Sequence, residues 1–224
     1  MWQAVQPSGA GYSMSKPGSK LTYWDEAVEH LQANDRILNK VIARYQGEFF
    51  PTGSHEAFTT LARSLISVQS SAARASETWR ALVRFCGKRP TVQCISALTI
   101  EQLIEIGIAK RKATNLVDLA KHFEAKTVNP TKWSKMSDQE VINDLCQIRG
   151  IGSWTGQMFL IFNLHRPNVL PLEDARLLKA VSMHYFGGEP VSRYEIRELA
   201  DNWEPWQTVA TWYMWRSLAD GSIV

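Results

Sequence analysis

The chain has 224 residues, 45% hydrophobic and 21% charged, with a formal net charge of only +3 and a pI near 8.8. This is a globular composition with ample apolar material for a core, and so small a charge permits nucleic-acid binding without demanding it, because a local basic face matters more than the total. The three cysteines, Cys86, Cys94 and Cys146, are odd in number and irregular in spacing, which argues against a disulfide framework, a zinc site or an iron–sulfur site and makes a reducing, intracellular setting the default expectation.

Residues 1–20, MWQAVQPSGAGYSMSKPGSK, are rich in Gly, Ser and Pro and read as a flexible tail, neither a secretory signal nor an anchor. No apolar run elsewhere approaches the ~20 residues that a membrane span needs. Residues 21–224 read as one domain. In AVEHLQANDRILNKVIARY the apolar positions recur at three- and four-residue spacing, with Asn34 or Asp35 able to cap a second helix. FPTGSHEAFTTLARSLISVQSSAARASETWRALVRF gives two more helices, broken near Gln69–Ser71. Thr99 with Gln102, Ser137 with Glu140 and Ser192 with Glu195 fit the capping box, and Pro205 is placed to open the last helix. Strand signals are nearly absent, the best being Val169–Leu172, short and interrupted by Pro171. The fold class is all-α: a compact two-lobed array of about ten helices with a cleft between the lobes.

DLCQIRGIGSWTGQMFLIF reads as helix, tight turn, helix. Gly150 and Gly152 allow positive φ and close approach, while Ile151 between them can plug into the core. The second helix leads with amides from Gly152, Trp154 and Thr155 at the positive end of its dipole, a good anion site. A nucleotide-binding loop would need a preceding strand and a following Lys-Ser/Thr pair, and neither is present. The pattern is that of a helix–hairpin–helix, which grips a nucleic-acid phosphate without reading sequence. A glycine-capped helix turn with no ligand is the other reading.

Twenty-two positions after Gly152, VLPLEDARLLKAV sets Asp174 at a helix start. Two readings are open. It is an ordinary N-cap, or it is a carboxylate that stabilises positive charge on a deoxyribose C1′ as a base departs, or that activates the incoming water.

Hairpin and aspartate together resemble the helix–hairpin–helix base-excision glycosylases, and among them the DNA-3-methyladenine glycosylase II family. IGIAKRKATNLVDLAKHF, SLISVQSSAARA and DNWEPWQTVATWYMWRSL are similar to that family's basic helix start, its Gln- and Ser-containing helix break and its C-terminal aromatic helix, and the likeness runs from about Tyr23 to Leu218. The resemblance implies Asp174 as the catalytic carboxylate. It implies Trp154, Trp215, Met158 and Ala175 as walls of the base pocket, the last two standing where some relatives carry tyrosines. Gln69 falls at the position of the side chain inserted into the duplex when a base is flipped out. Gly150, Gly152 and Thr155 would grip the phosphate, and Lys110, Arg111 and Lys112 would neutralise others. Backbone carbonyls of Cys146, Ile148 and Ile151 would hold a sodium or potassium ion, and no other cofactor is expected.

Relatives that also cut the backbone carry a lysine where this chain has Trp154. Indole cannot form a Schiff base, and Lys179 lies too far into the helix after Asp174. The resemblance therefore implies a monofunctional enzyme that releases alkylated bases, of the 3-methyladenine and 7-methylguanine type, from double-stranded DNA and leaves an abasic site. An indole face also attracts a cationic purine, by ~0.5–2 kcal/mol. His55, His122, His165 and His184 have no evident catalytic company. Two other functions stay open: a non-catalytic DNA-binding or damage-sensing module, and a glycosylase for a neutral lesion such as hypoxanthine. A monomer without membrane contact is expected.

Overall fold

In the computed structural model the described residues are 19–50, 52 and 56–219, so most of the N-terminal segment read as a tail, and His55, lie outside them. Among the described residues there are twelve α-helices, two short 3-10 helices and no strand. Val169–Leu172 is irregular. The helices are α1 (Trp24–Asn34), α2 (Arg36–Arg44), α3 (Ala57–Ser67), α4 (Ala72–Phe85), α5 (Val92–Ser96), α6 (Ile100–Glu105), α7 (Lys110–Glu124), α8 (Asp138–Cys146), α9 (Ser153–Phe162), α10 (Ala175–Tyr185), α11 (Arg193–Ala200) and α12 (Gln207–Ala219). No helix among them is long and apolar enough to cross a membrane.

The helix boundaries follow local chemistry. All three capping boxes form: Thr99, Ser137 and Ser192 each accept the amide three residues on, and the Gln or Glu there reaches back to the cap's own N–H. Asp35, not Asn34, caps α2, its carboxylate accepting from the Ile37 and Leu38 amides. Pro205 does not open the last helix; it sits in the turn before α12, which begins at Gln207.

The described helices divide between two compact units, one within Ser54–Phe159, the other within Ser15–Gly53 and Leu160–Val224. In the first unit α7 is the central strut, packing on α3, α5 and α6. Its Ala113, Leu116, Leu119 and Ala120 are completely buried, as period-3.6 spacing requires of the core face. Phe123 meets Phe58 edge to face, and Trp133 meets Phe159 the same way while donating its indole N–H to Asp144 at 2.7 Å. In the second unit α12 is central, against α10, α2 and α1. Trp24 packs edge-on to Trp212 and tilted against Tyr213.

One expectation is overturned. Cys86, at the end of α4, and Cys94, on α5, form a disulfide with Cα atoms 6.1 Å apart, while Cys146 is free. Spacing gave no hint of it, because the Gly87–Pro90 turn that brings the two together joins helices whose packing is a tertiary matter. No cluster of metal-ligating side chains occurs among the described residues.

Candidate functional site

The candidate residues fall into two sets, one in each unit. The first is the hairpin between α8 and α9. The Ile151 amide closes the turn on the Ile148 carbonyl at 3.1 Å, and both isoleucines are buried, so the loop is anchored by its own apolar side chains. Gly150 has φ +88°, and a Cβ there would lie 2.2 Å from Asn115 Nδ2 and 2.9 Å from its Cγ. The backbone is thus in contact with α7, and only glycine fits. Gly152 differs from expectation: its φ is not positive, and a Cβ there would meet no protein atom within 4 Å. The Arg149 amide donates to Asp118 Oδ2 at 2.8 Å, which fastens the hairpin to α7 a second time.

The first intrahelical bond of α9 runs from Gly156 N–H to the Gly152 carbonyl at 3.0 Å. The amides before it lead the helix at its positive end. Gly152 and Ser153 are exposed there, Trp154 is half-buried and Thr155 is buried. Met158, one turn further, is completely buried. The resemblance placed it at the wall of the base pocket, and its side chain is closed off from solvent.

Gln69 is exposed, with φ +51°, in the turn between α3 and α4. A non-glycine residue in the left-handed region is uncommon and marks a turn whose shape its surroundings enforce. Lys110 and Arg111 are exposed at the start of α7. Lys112 is half-buried and turns back: its ammonium donates to the Ile66 carbonyl and to Ser70 Oγ, both at 2.6 Å. Of the three basic residues, two face solvent and one serves the turn beside Gln69.

In the second unit Asp174 is both the α10 N-cap and a nearly fully buried carboxylate, 4% exposed. Oδ1 accepts from the Arg176 amide at 3.1 Å, the Leu177 amide at 3.0 Å and the indole N–H of Trp215 at 2.9 Å. Arg176 Nε stands 3.7 Å from the same oxygen. The N-cap reading of Asp174 is realised, and the cap holds its carboxylate in one place. Trp215 is 5% exposed, stacks on Phe162 with centroids 5.7 Å apart, and has the Arg176 guanidinium 4.9 Å from its ring centre. Its polar edge aims the carboxylate. Ala175 and Lys179 are exposed on α10. The sequence reading missed Arg176, which stands two residues after Asp174, and also Asn115 and Asp118, which lie beside the hairpin only once the chain is folded. Of the histidines left without a role, His184 is buried against Ser217 Oγ at 2.8 Å, a packing position.

The family model for the HhH-GPD superfamily base excision DNA repair proteins matches residues 62–205. DNA-3-methyladenine glycosylase 1 of Schizosaccharomyces pombe is 30% identical over 210 residues, which cover 89% of this chain and 91% of that protein. A putative DNA-3-methyladenine glycosylase of Bacillus subtilis is 31% identical over 129 residues, 58% of this chain but only 45% of that protein, so the aligned part is less than half of the relative. Among solved structures, a DNA-3-methyladenine glycosidase from Bacillus halodurans superposes with a TM-score of 0.80 at 26% identity, covering 94% of each chain. A Schizosaccharomyces pombe 3-methyladenine DNA glycosylase in complex with abasic DNA superposes with a TM-score of 0.72 at 25% identity, covering 87% of this chain and 97% of that one. With the hairpin and the capped aspartate both in place, the chain belongs to the HhH-GPD superfamily of base excision DNA repair proteins.

Proposed function

We propose that this protein is a monofunctional DNA glycosylase, which flips alkylated purines out of double-stranded DNA and excises them by hydrolysis, leaving an abasic site. The observation that carries the proposal is the Asp174 carboxylate, buried at a helix start with three donors on one oxygen. A carboxylate so fixed needs no reorganisation to stabilise an oxocarbenium-like sugar or to orient water. A cationic alkylated purine is already a good leaving group, so no strong general acid is required. The hairpin start at Gly150, Gly152 and Thr155 holds the backbone phosphate, with Lys110 and Arg111 adding sequence-independent attraction. Trp154 offers an indole face to the cationic base and, having no amine, cannot open the strand.

Gln69 fills the space that the flipped nucleotide leaves. From the end of α8 through the hairpin, the carbonyls of Cys146, Ile148 and Ile151 would hold a sodium or potassium ion. All are oxygen ligands suited to a hard cation, and such an ion would add positive charge against the phosphate. A single chain acting on chromosomal DNA, inside the cell and away from membranes, fits this reading.

The test is base release from methylated duplex DNA, scoring free base and strand breaks separately. Wild type should release base without breaks, and Asp174→Asn should be slower by about 10²–10⁴-fold while still folding, since Asn also caps helices. Undiminished binding with no release from any alkylated substrate would instead identify a damage sensor. Nicking without added alkali would reveal an amine nucleophile.

A further inference from the structure

The polar side chains of α7 tie the turn carrying Gln69 and the hairpin to one helix. Lys112 bridges the turn: the Ile66 carbonyl, in the last turn of α3, precedes Gln69, and Ser70 Oγ follows it. Three residues on, Asn115 is buried beneath Gly150. Three further, Asp118 accepts the Arg149 amide. Successive steps of three stay on one side of a helix, and the whole set spans about 9 Å of rise. Asn115 and Asp118 thus hold the hairpin, and Lys112 holds the Gln69 turn.

Gln69 needs such a holder. A left-handed conformation costs an L-residue roughly 1–2 kcal/mol and persists only where its surroundings over-determine it. The turn's own backbone supplies Val68 N–H to the Ser64 carbonyl and Ser70 N–H to the Ser67 carbonyl, both at 3.1 Å. The second of these spans Val68 and Gln69 and closes the turn on itself. The ammonium adds a tie from both sides of Gln69 to α7. Burial, and then the nearby Arg74 charge, draw Lys112 below the ordinary lysine value, as befits a cation whose hydration has been exchanged for fixed acceptors.

We propose that Lys112 is a positioning residue for the Gln69 wedge, holding the backbone-closed turn against α7 at a fixed offset from the phosphate-gripping hairpin. The proposal deepens the reading of this protein as a base-flipping glycosylase and rests on it. It also separates Lys112 from its neighbours Lys110 and Arg111, which are left to attract phosphate.

The experiment measures wedge insertion apart from chemistry. A duplex carries an abasic-site analogue with 2-aminopurine opposite it, and the fluorescence change is read at saturating protein, with affinity taken from anisotropy. Lys112→Met keeps the aliphatic stem and removes the donors. It should leave about tenfold fewer complexes with the wedge inserted, at an affinity for undamaged duplex unchanged within about twofold and an unchanged salt slope. Lys112→Arg should restore much of the signal, Ser70→Ala should cost part of it, and Lys112→Met should add nothing in a Gln69→Ala background. Weaker binding to every duplex, a salt slope reduced by about one and an intact fluorescence change at saturation would overturn the proposal by making Lys112 a phosphate contact. A wild-type protein that binds the duplex with no fluorescence change would overturn the base-flipping reading itself, whereas a wild-type signal that survives Lys112→Met overturns only the role of Lys112. Thermal melting of each variant guards against simple unfolding, and Ser70→Ala, at a half-buried position of the turn, tests the contact from its other side.

Discussion

The indole N–H of Trp215 donates to Asp174 Oδ1 at 2.9 Å, joining α12 to the start of α10 across 41 residues of sequence. The aromatic ring is packed against Phe162 and lies under Arg176, so the N–H has little freedom and the carboxylate inherits that rigidity. Trp215→Phe keeps a packed ring and removes only the donor. A hydrogen bond to a charged group is worth about 1.5–3 kcal/mol, so the single-turnover rate of base release should fall by about 10–150-fold with duplex affinity unchanged. If affinity falls while the rate at saturation holds, Trp215 contacts the base and does not aim the carboxylate.

The hairpin glycines should separate stability from binding. Gly150→Ala forces a left-handed L-residue and a collision with Asn115, so the variant should lose about 2 kcal/mol or more in urea denaturation. Gly152→Ala meets no protein atom, so its melting temperature should match wild type. Its added methyl lies where a phosphate would approach the α9 amides, and affinity for duplex DNA should drop. Unchanged affinity for Gly152→Ala would place the phosphate elsewhere.

Asp35 is a structural counterpart of Asp174. Its Oδ1 accepts the Ile37 and Leu38 amides at 2.9 Å, and its Oδ2 accepts Tyr185 Oη–H at 2.6 Å and the Trp203 indole at 2.8 Å. Asp35→Ala strands several donors in a buried setting and should cost about 3 kcal/mol or more, read as a lower urea midpoint. Activity per folded molecule should be unchanged, because the residue fixes the second unit's helices and no reacting group.

His184 gives a pH signature. Burial, and then the nearby Arg44 charge, hold its imidazole below the ordinary value, and its Nε2 lies 2.8 Å from Ser217 Oγ. The unfolded chain therefore takes up this proton first as pH falls. The stability tied to the neutral ring is complete above the unfolded pKa of about 6.5, declines below it, and stops declining once the lower folded value is passed. Melting curves of wild type and His184→Gln from about pH 8 to about pH 5 should show a difference that changes only below about pH 6.5. A constant difference throughout would mean that the ring is not held neutral.

The sequence by itself determined whatever depends on neighbours within a few positions. Period-3.6 apolar spacing made the class all-α, the three capping boxes set helix starts at Thr99, Ser137 and Ser192, and the Asn34–Asp35 pair marked a helix start that the structure then gave to Asp35. The glycine turn and Asp174 were visible for the same reason. The tertiary structure decided which atoms meet over long separations. It joined Trp215 to Asp174, bent Lys112 back to the Gln69 turn, set Asn115 under Gly150, buried Met158 and paired Cys86 with Cys94. A hydrogen bond or a steric limit acts over about 3 Å. Local periodicity fixes which face of a helix a residue occupies, but only the packing of one helix on another fixes what that face touches.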